Sequence, residues 1–271
     1  MRILFTGDIV GKPGVEIMLQ ALPGIRMEES IDLIIANGEN SDAGSGINST
    51  IYRKLIKAGV DCITLEDHIY RKKEIIPILE AKDNIIKPAN YPEGSPGRGW
   101  TVVKASNGVK VAVFSLMGRV FMRPVDCPYQ AAERVLKEIP EDVIVRFCDF
   151  HAEATSDKQL MGRFLDGRAT AVCGTHTHVP TADERVLPKG TAFISDVGMT
   201  GPHESILGRK IEKVMEATVT FRPVPFDVAK GDVQISGVII EVDRKTGKAV
   251  SIRRIKVDER QARAYEEAFE E

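Results

Sequence analysis

The sequence predicts an α/β protein, and three observations carry that reading. Apolar runs alternate with amphipathic helical segments through the first hundred residues. Strand-like runs then recur with fewer helices between them, and five of the strands end in Asp, Asn, Glu or His. A parallel pair of strands needs a crossover, usually a helix, so the alternating half predicts a mostly parallel sheet. The strand-rich half predicts a second one.

Arg2 to Phe5 is a short apolar strand. Pro13, whose fixed φ suits a first helical turn, opens a helix in which Val15, Met18, Leu19 and Leu22 share a face. Asp32 to Ala36 and Cys62 to Leu65 read as buried strands. Between them lies a helix with Ile51, Leu55 and Ala58 on one side, and another helix follows around Glu74 to Glu80. Pro88 to Gly99 is dense in turn residues and reads as one long ordered loop. Trp100 to Lys104, Val109 to Leu116, Val143 to Phe147, Ala169 to Cys173 and Thr191 to Ser195 are strands, with helices near Tyr129 to Ile139 and Ser156 to Leu165. Val233 to Val242 and Val250 to Val257 flank a Gly-containing turn and predict a hairpin. Asp258 to Glu271 reads as a charged, solvated terminal helix.

The 271 residues, 43% hydrophobic and 28% charged, exclude disorder as the dominant state and can build one or two domains. With 37 basic against 39 acidic side chains the net charge is -2, so no basic field addresses duplex nucleic acid. Apolar stretches such as Val111 to Met117 fall far short of the roughly 20 residues of a membrane span. The amino-terminal run offers no signal-peptide pattern, and a cytoplasmic protein is expected. Cys62, Cys127, Cys148 and Cys173 are scattered, three of them in apolar strands, and read as reduced thiols.

Chemistry gathers at the strand ends: Asp8, Asn37-Gly38-Glu39-Asn40, Glu66-Asp67-His68, Asp149-Phe150-His151-Ala152-Glu153 and Gly174-Thr175-His176-Thr177-His178. Carboxyl ends of strands meet along one edge of an open α/β sheet, where ligands bind. Singly each residue has a plainer reading, Asp8 as a turn or cap residue and a lone His as a structural one. His176 and His178, if extended, would point to one face about 6.6 Å apart and could serve one metal or two adjacent ones. Four of the five histidines fall at these ends, His203 being the exception. Carboxylate, amide and imidazole without thiolate suit manganese, iron or zinc, and paired ions are a common engine of phosphoester hydrolysis.

The segments Phe5-Thr6-Gly7-Asp8-Ile9-Val10-Gly11-Lys12-Pro13-Gly14, Asn37-Gly38-Glu39-Asn40, Asp149 to Ser156, Gly174 to Val179 and Asp196 to Pro202 resemble the YmdB-type calcineurin-like metallophosphoesterases, over nearly the whole chain. The resemblance implies a four-layer α/β/β/α sandwich with a dimetal site at strand C-terminal ends. It places Asp8, Glu39, Asn40 and His178 around one metal, and Glu39 bridging to a second that His151 and His176 also bind. His68 would be the proton donor. It further implies hydrolysis of cyclic nucleotides, notably 2',3'-cyclic nucleotides, by attack of a metal-bridged hydroxide, with two ions of iron or manganese and zinc as an alternative.

One motif departs from the family pattern. Glu66-Asp67-His68 stands where Gly-Asn-His is usual, so Asp67 replaces an asparagine ligand and can still bind metal. Asp8, Glu39 and Asp67 then set three negative charges against the four positive of two divalent ions, which favours a centre containing Fe(III). Glu66 is expected to point to solvent beside Arg71 and Lys72. At its ordinary pKa His68 would be about one quarter protonated at pH 7, and neighbouring carboxylates should raise that fraction.

Arg119 follows a strand and could meet a phosphate or form an ion pair, Asn90 and His203 are weaker candidates, and none is assigned to substrate. Two alternatives stay open: a metal-binding regulatory or scaffold protein with catalysis reduced by the altered motif, and a nucleotide phosphomonoesterase. The expected partner is a small phosphodiester, and a homo-oligomer is compatible with the sequence. Because the ligands run from Asp8 to His178 across both halves, residues 1–271 read as one domain.

Overall fold

In chain order, the computed structural model, which describes residues 1–270, contains β1 (Arg2–Thr6), α1 (Gly11–Glu28), β2 (Leu33–Asn37), α2 (Ser49–Lys57) and β3 (Cys62–Thr64). A 3-10 turn (Lys73–Ile75) leads into α3 (Ile76–Ala81), β4 (Ile85–Ile86), β5 (Trp100–Lys104), β6 (Lys110–Met117), α4 (Pro128–Glu138), β7 (Val145–His151), α5 (Thr155–Leu165) and β8 (Ala171–Thr175). Then come β9 (Arg185–Val186), β10 (Ala192–Ile194), β11 (Gly201–Glu204), α6 (Ile211–Thr220), β12 (Gly231–Val242), β13 (Ala249–Asp258) and α7 (Glu259–Glu270).

The first sheet runs β11-β12-β1-β2-β3-β4, with β13 along the other side of β12. Strands β1 to β4 are mutually parallel, as the βαβ alternation predicts, while β12 joins β1 antiparallel. The second sheet runs β5-β6-β7-β8-β10-β9, with a parallel centre and antiparallel edges.

Alternation along the strands decides the layering. In β1, Leu4 packs outward with Met18, Leu22 and Leu55 of α1 and α2, whereas Ile3 and Phe5 turn inward to Val113 and Phe147 of the second sheet. The rings of Phe5 and Phe147 meet edge to face with centroids 4.8 Å apart. On the far face Phe114, Cys148 and Phe193 pack under Ala131 and Val135 of α4 and Met161 and Leu165 of α5. The result is a four-layer α/β/β/α sandwich. Parallel strands with both faces covered bring their carboxyl ends to one edge, and there the two sheets are joined by polar side chains. Thr64 Oγ1 at the end of β3 and Asn37 Nδ2 at the end of β2 both donate to Asp149 Oδ2 of β7, at 2.5 and 3.1 Å.

Several local expectations change. α1 continues past Pro23 to Glu28, because its last turns are buried, Ile25 fully so. α7 is not solvated all round: Ala262 is fully buried and Tyr265 packs on α1, so close to Gly24 that a Cβ there would lie 2.6 Å from the tyrosine Cβ. The sequence reading did not find β4, β9, β11 or α6. None of the residues of α6 is buried. The four cysteines are free, with Cys62, Cys148 and Cys173 buried. No helix among the described residues is long and apolar enough to cross a membrane.

Candidate metal centre

Asp8 leaves β1 fully buried, and its backbone carbonyl accepts from Thr200 N at 2.8 Å, which ties the loop before β11 to the strand end. Such close passage requires Gly7, since a Cβ there would lie 1.8 Å from the carbonyl oxygen of Gly198. Asp8 is not a helix cap, because Val10 occupies that position of α1. Glu39 and Asn40 lie in the turn after β2, and Asp67 and His68 in the turn after β3. From the second sheet come His151, the last residue of β7, and His176 and His178 just past β8.

All of these residues converge. His178 Nε2 lies 3.7 Å from Asp8 Oδ1 and 3.3 Å from Asn40 Nδ2. His151 Nε2 lies 3.9 Å from Glu39 Oε1 and 3.6 Å from Asp67 Oδ1, and its ring stands 4.3 Å from that of His176. His68 reaches the same place, its Nδ1 being 3.0 Å from Glu39 Oε1 and 3.2 Å from Asp67 Oδ1. Donor atoms of Asp8, Glu39, Glu66 and His151 fall within 4.8 Å of one another, as do those of Glu39, Asp67 and His68.

Buried polar atoms are rarely left unpaired, yet Asp8 Oδ1, Asp67 Oδ1 and His151 Nε2 are buried here with no hydrogen-bond partner. Each belongs to a residue type that binds hard or borderline cations, and all three border the same space. The residues present therefore fit a bound metal ion. His178 Nδ1–H donates to the Leu207 carbonyl at 3.1 Å, which orients the ring and leaves Nε2, facing Asp8, as the nitrogen available to a cation. His176 Nε2 pairs instead with Glu153 Oε2 at 3.0 Å.

The charges are uneven. Burial would raise the Asp8 carboxyl, but the imidazole of His178 beside it holds it well below its ordinary value, and His151 does the same for Asp67. Burial raises Glu39 and Glu66. Against its own desolvation, His151 is raised by the carboxylate of Glu66. His176 is pushed down to about 3, chiefly by burial and then by the charge of His151, and so presents a neutral imidazole.

Residues 4–255 match the family described as YmdB-like protein. The chain belongs to that family. It is 48% identical to the 2',3'-cyclic-nucleotide 2'-phosphodiesterase of Bacillus subtilis, over 96% of this chain and 98% of the relative. The crystal structure of a hypothetical protein from Thermus thermophilus superposes with a TM-score of 0.90 at 40% identity, covering 95% of this chain and 99% of the other. That of a novel phosphatase from Mycoplasma pneumoniae gives 0.89 at 31% identity, covering 95% and 93%.

Within this YmdB-like site three expectations are corrected. Glu66 is not solvated but fully buried. Its Oε1 accepts from Asn37 Nδ2 at 2.5 Å and Thr175 Oγ1 at 2.6 Å, and its Oε2 meets His151 Nδ1, while Lys72 turns away to Asp42. Three donors beneath the site account for the burial of an acid beside which the sequence shows only Arg71 and Lys72. His176 and His178 are not extended, having φ of 99° and 63° in the left-handed region, so a turn rather than a strand sets their spacing. His68 is lowered rather than raised, because burial and the charges of His151, Arg71 and Arg209 outweigh Asp67. Asn90 is committed to structure, bonding the Met117 and Asp126 carbonyls and Met117 N. Arg119 is exposed, and His203 Nδ1 bonds the Gly201 carbonyl of its own strand.

Sequence reasoning also left a buried clamp unassigned. Asp196 Oδ2 accepts from Thr177 N at 3.0 Å, Thr177 Oγ1 at 2.7 Å and Lys158 Nζ at 2.6 Å, with the Lys158 and Asp196 side chains each 1% exposed. The one residue between the two strained histidines is thus tied through both its backbone N–H and its hydroxyl to one buried, lysine-paired carboxylate, which is how such backbone conformations persist. The available signal was a lysine on the predicted helix Ser156 to Leu165 and an aspartate ending a predicted strand.

Proposed function

We propose that this YmdB-like chain is a metal-dependent phosphodiesterase acting on 2',3'-cyclic nucleotides, with Asp8, Glu39, Asn40, Asp67, His151, His176 and His178 holding two metal ions. The observation that carries this reading is the convergence of unpaired, buried Asp8 Oδ1, Asp67 Oδ1 and His151 Nε2 beside Glu39 and His178. The activity of the Bacillus subtilis relative supports the substrate class. Bound ions would supply an activated water and positive charge to meet the developing phosphorane oxygens.

The chain's own residues do the rest. Glu39 lies between the Asp8 side and the Asp67 side of the cluster, the place for a bridging carboxylate. His68 Nδ1 is held by Glu39 Oε1 at 3.0 Å, which leaves Nε2 to give a proton to the departing ribose oxygen. Three ligand carboxylates favour a mixed iron centre with Fe(III), or iron with manganese, over two divalent ions.

The test is reconstitution of metal-stripped protein with manganese, with iron and with both, assayed on 2',3'-cyclic AMP and on bis-p-nitrophenyl phosphate. Turnover that depends on added metal is expected, faster with iron present. Asp67→Asn should bring the manganese-only form closer to the iron form. A metal-loaded protein inert to both substrates would overturn the activity, and an Asp67→Asn variant with unchanged metal preference would overturn the iron assignment alone.

A further inference from the structure

We propose that Glu66 is a positioning residue of the metal centre that turns His151 toward the ions and selects a trivalent one. The proposal rests on the reading of His151 as a ligand through Nε2. Glu66 lies two residues past the end of β3, its backbone carbonyl accepts from Tyr91 Oη at 2.8 Å, and its side chain runs inward to full burial. Oε2 meets Nδ1 of His151, whose Nε2 faces Glu39 and Asp67 unpaired. A carboxylate on Nδ1 fixes the tautomer and ring orientation of a metal-binding histidine and makes the other nitrogen a better donor.

The geometry around Oε1 makes the role specific to a carboxylate. Asn37 Nδ2, Thr175 Oγ1 and His151 Nδ1 all offer donors to this one group. A glutamine would have to direct its amide hydrogens at His151 or at the other two, and would either impose the wrong tautomer or face donor with donor. Glu66 also adds a carboxylate to those of Asp8, Glu39 and Asp67, within 4.8 Å of the Asp8 and Glu39 oxygens and away from solvent screening. A charge so placed stabilises a trivalent ion more than a divalent one.

Glu66→Gln and Glu66→Asp, with wild type, decide the matter by competition between citrate-buffered gallium(III), a redox-inert trivalent probe, and manganese(II), with bound metals counted by mass spectrometry. Glu66→Gln should lower the gallium-to-manganese ratio by about tenfold or more. Glu66→Asp, which keeps the charge but withdraws it from Nδ1, should keep the ratio while weakening uptake of both ions. An unchanged ratio in folded Glu66→Gln overturns the proposal. Should Glu66→Gln not fold, a collapsed ratio in Glu66→Asp overturns it and a retained one supports it. Wild type that takes up neither ion overturns the metal-centre reading itself, and the proposal with it.

Discussion

The two halves of the metal centre are held by opposite means. The histidine loop after β8 is strained in its backbone but neutral in its support, since Asp196 anchors it and Lys158 cancels the Asp196 charge. The acidic loop after β3 carries Glu66 and Asp67 against Glu39 and Asp149, like charges buried together, with raised protonation at Glu39, Glu66 and Asp149. One half is made rigid by the protein alone. The other is costly without cations, and that cost is what a metal ion would relieve on binding.

Breaking the histidine side should have the largest effect on stability. Asp196→Ala leaves Lys158 buried and unpaired and should cost about 3–5 kcal/mol in denaturant unfolding, while a Lys158→Met, Asp196→Leu pair should recover part of that loss. A cost below about 1 kcal/mol would mean that the clamp does not hold the loop.

The acidic side should announce itself through pH. Asp149 is raised by burial to about 6 from its ordinary 3.8, so the native state keeps a proton that the unfolded chain releases. Its contribution to stability is complete below 3.8 and is lost as pH rises through about 6. Metal-free protein should lose at most about 3 kcal/mol across that window on account of this group. Asp149→Asn should flatten the profile, and saturating manganese should flatten it as well. A metal-free profile that instead rises over the window would contradict the contrast between the loops.

The smallest of the three effects is kinetic. His68→Ala, also on the acidic loop, should lower turnover by about 10²-fold with the count of bound metals unchanged. Because His68 is lowered from its usual 6.5, activity relying on its protonated form should decline from a pH below neutrality. Loss of metal in this variant would reassign His68 from proton donor to ligand.

Much of this was legible before any coordinates. Short continuous apolar runs such as Ile3 to Phe5 and Val111 to Leu116, set between turn and helix signals, read as strands covered on both faces, and strands so placed share a C-terminal edge. Polar residues at that edge were therefore conspicuous, and the sequence identified Asp8, Glu39, Asn40, Asp67, His151, His176 and His178 as a set. α6 escaped notice even though Ile211, Val214, Met215 and Val219 recur at helical spacing, and the fold leaves that stripe unburied. α7 was misjudged because a single buried alanine, Ala262, and one tyrosine make its contact with α1.

What the sequence alone determined is the chemical inventory and the two-sheet α/β character, because residue type and apolar runs are properties of neighbours along the chain, while the four layers were implied by the family resemblance. Tertiary structure decided everything that depends on which distant groups become neighbours. It put Glu66 behind His151 instead of in water, since Asn37 and Thr175 arrive from two different sheets to receive it. It also set His176 and His178 in left-handed conformations, with Thr177 between them held by an aspartate after β10 that a lysine on α5 pairs in turn. Burial and pairing are sums over such neighbours, and no window of sequence contains them.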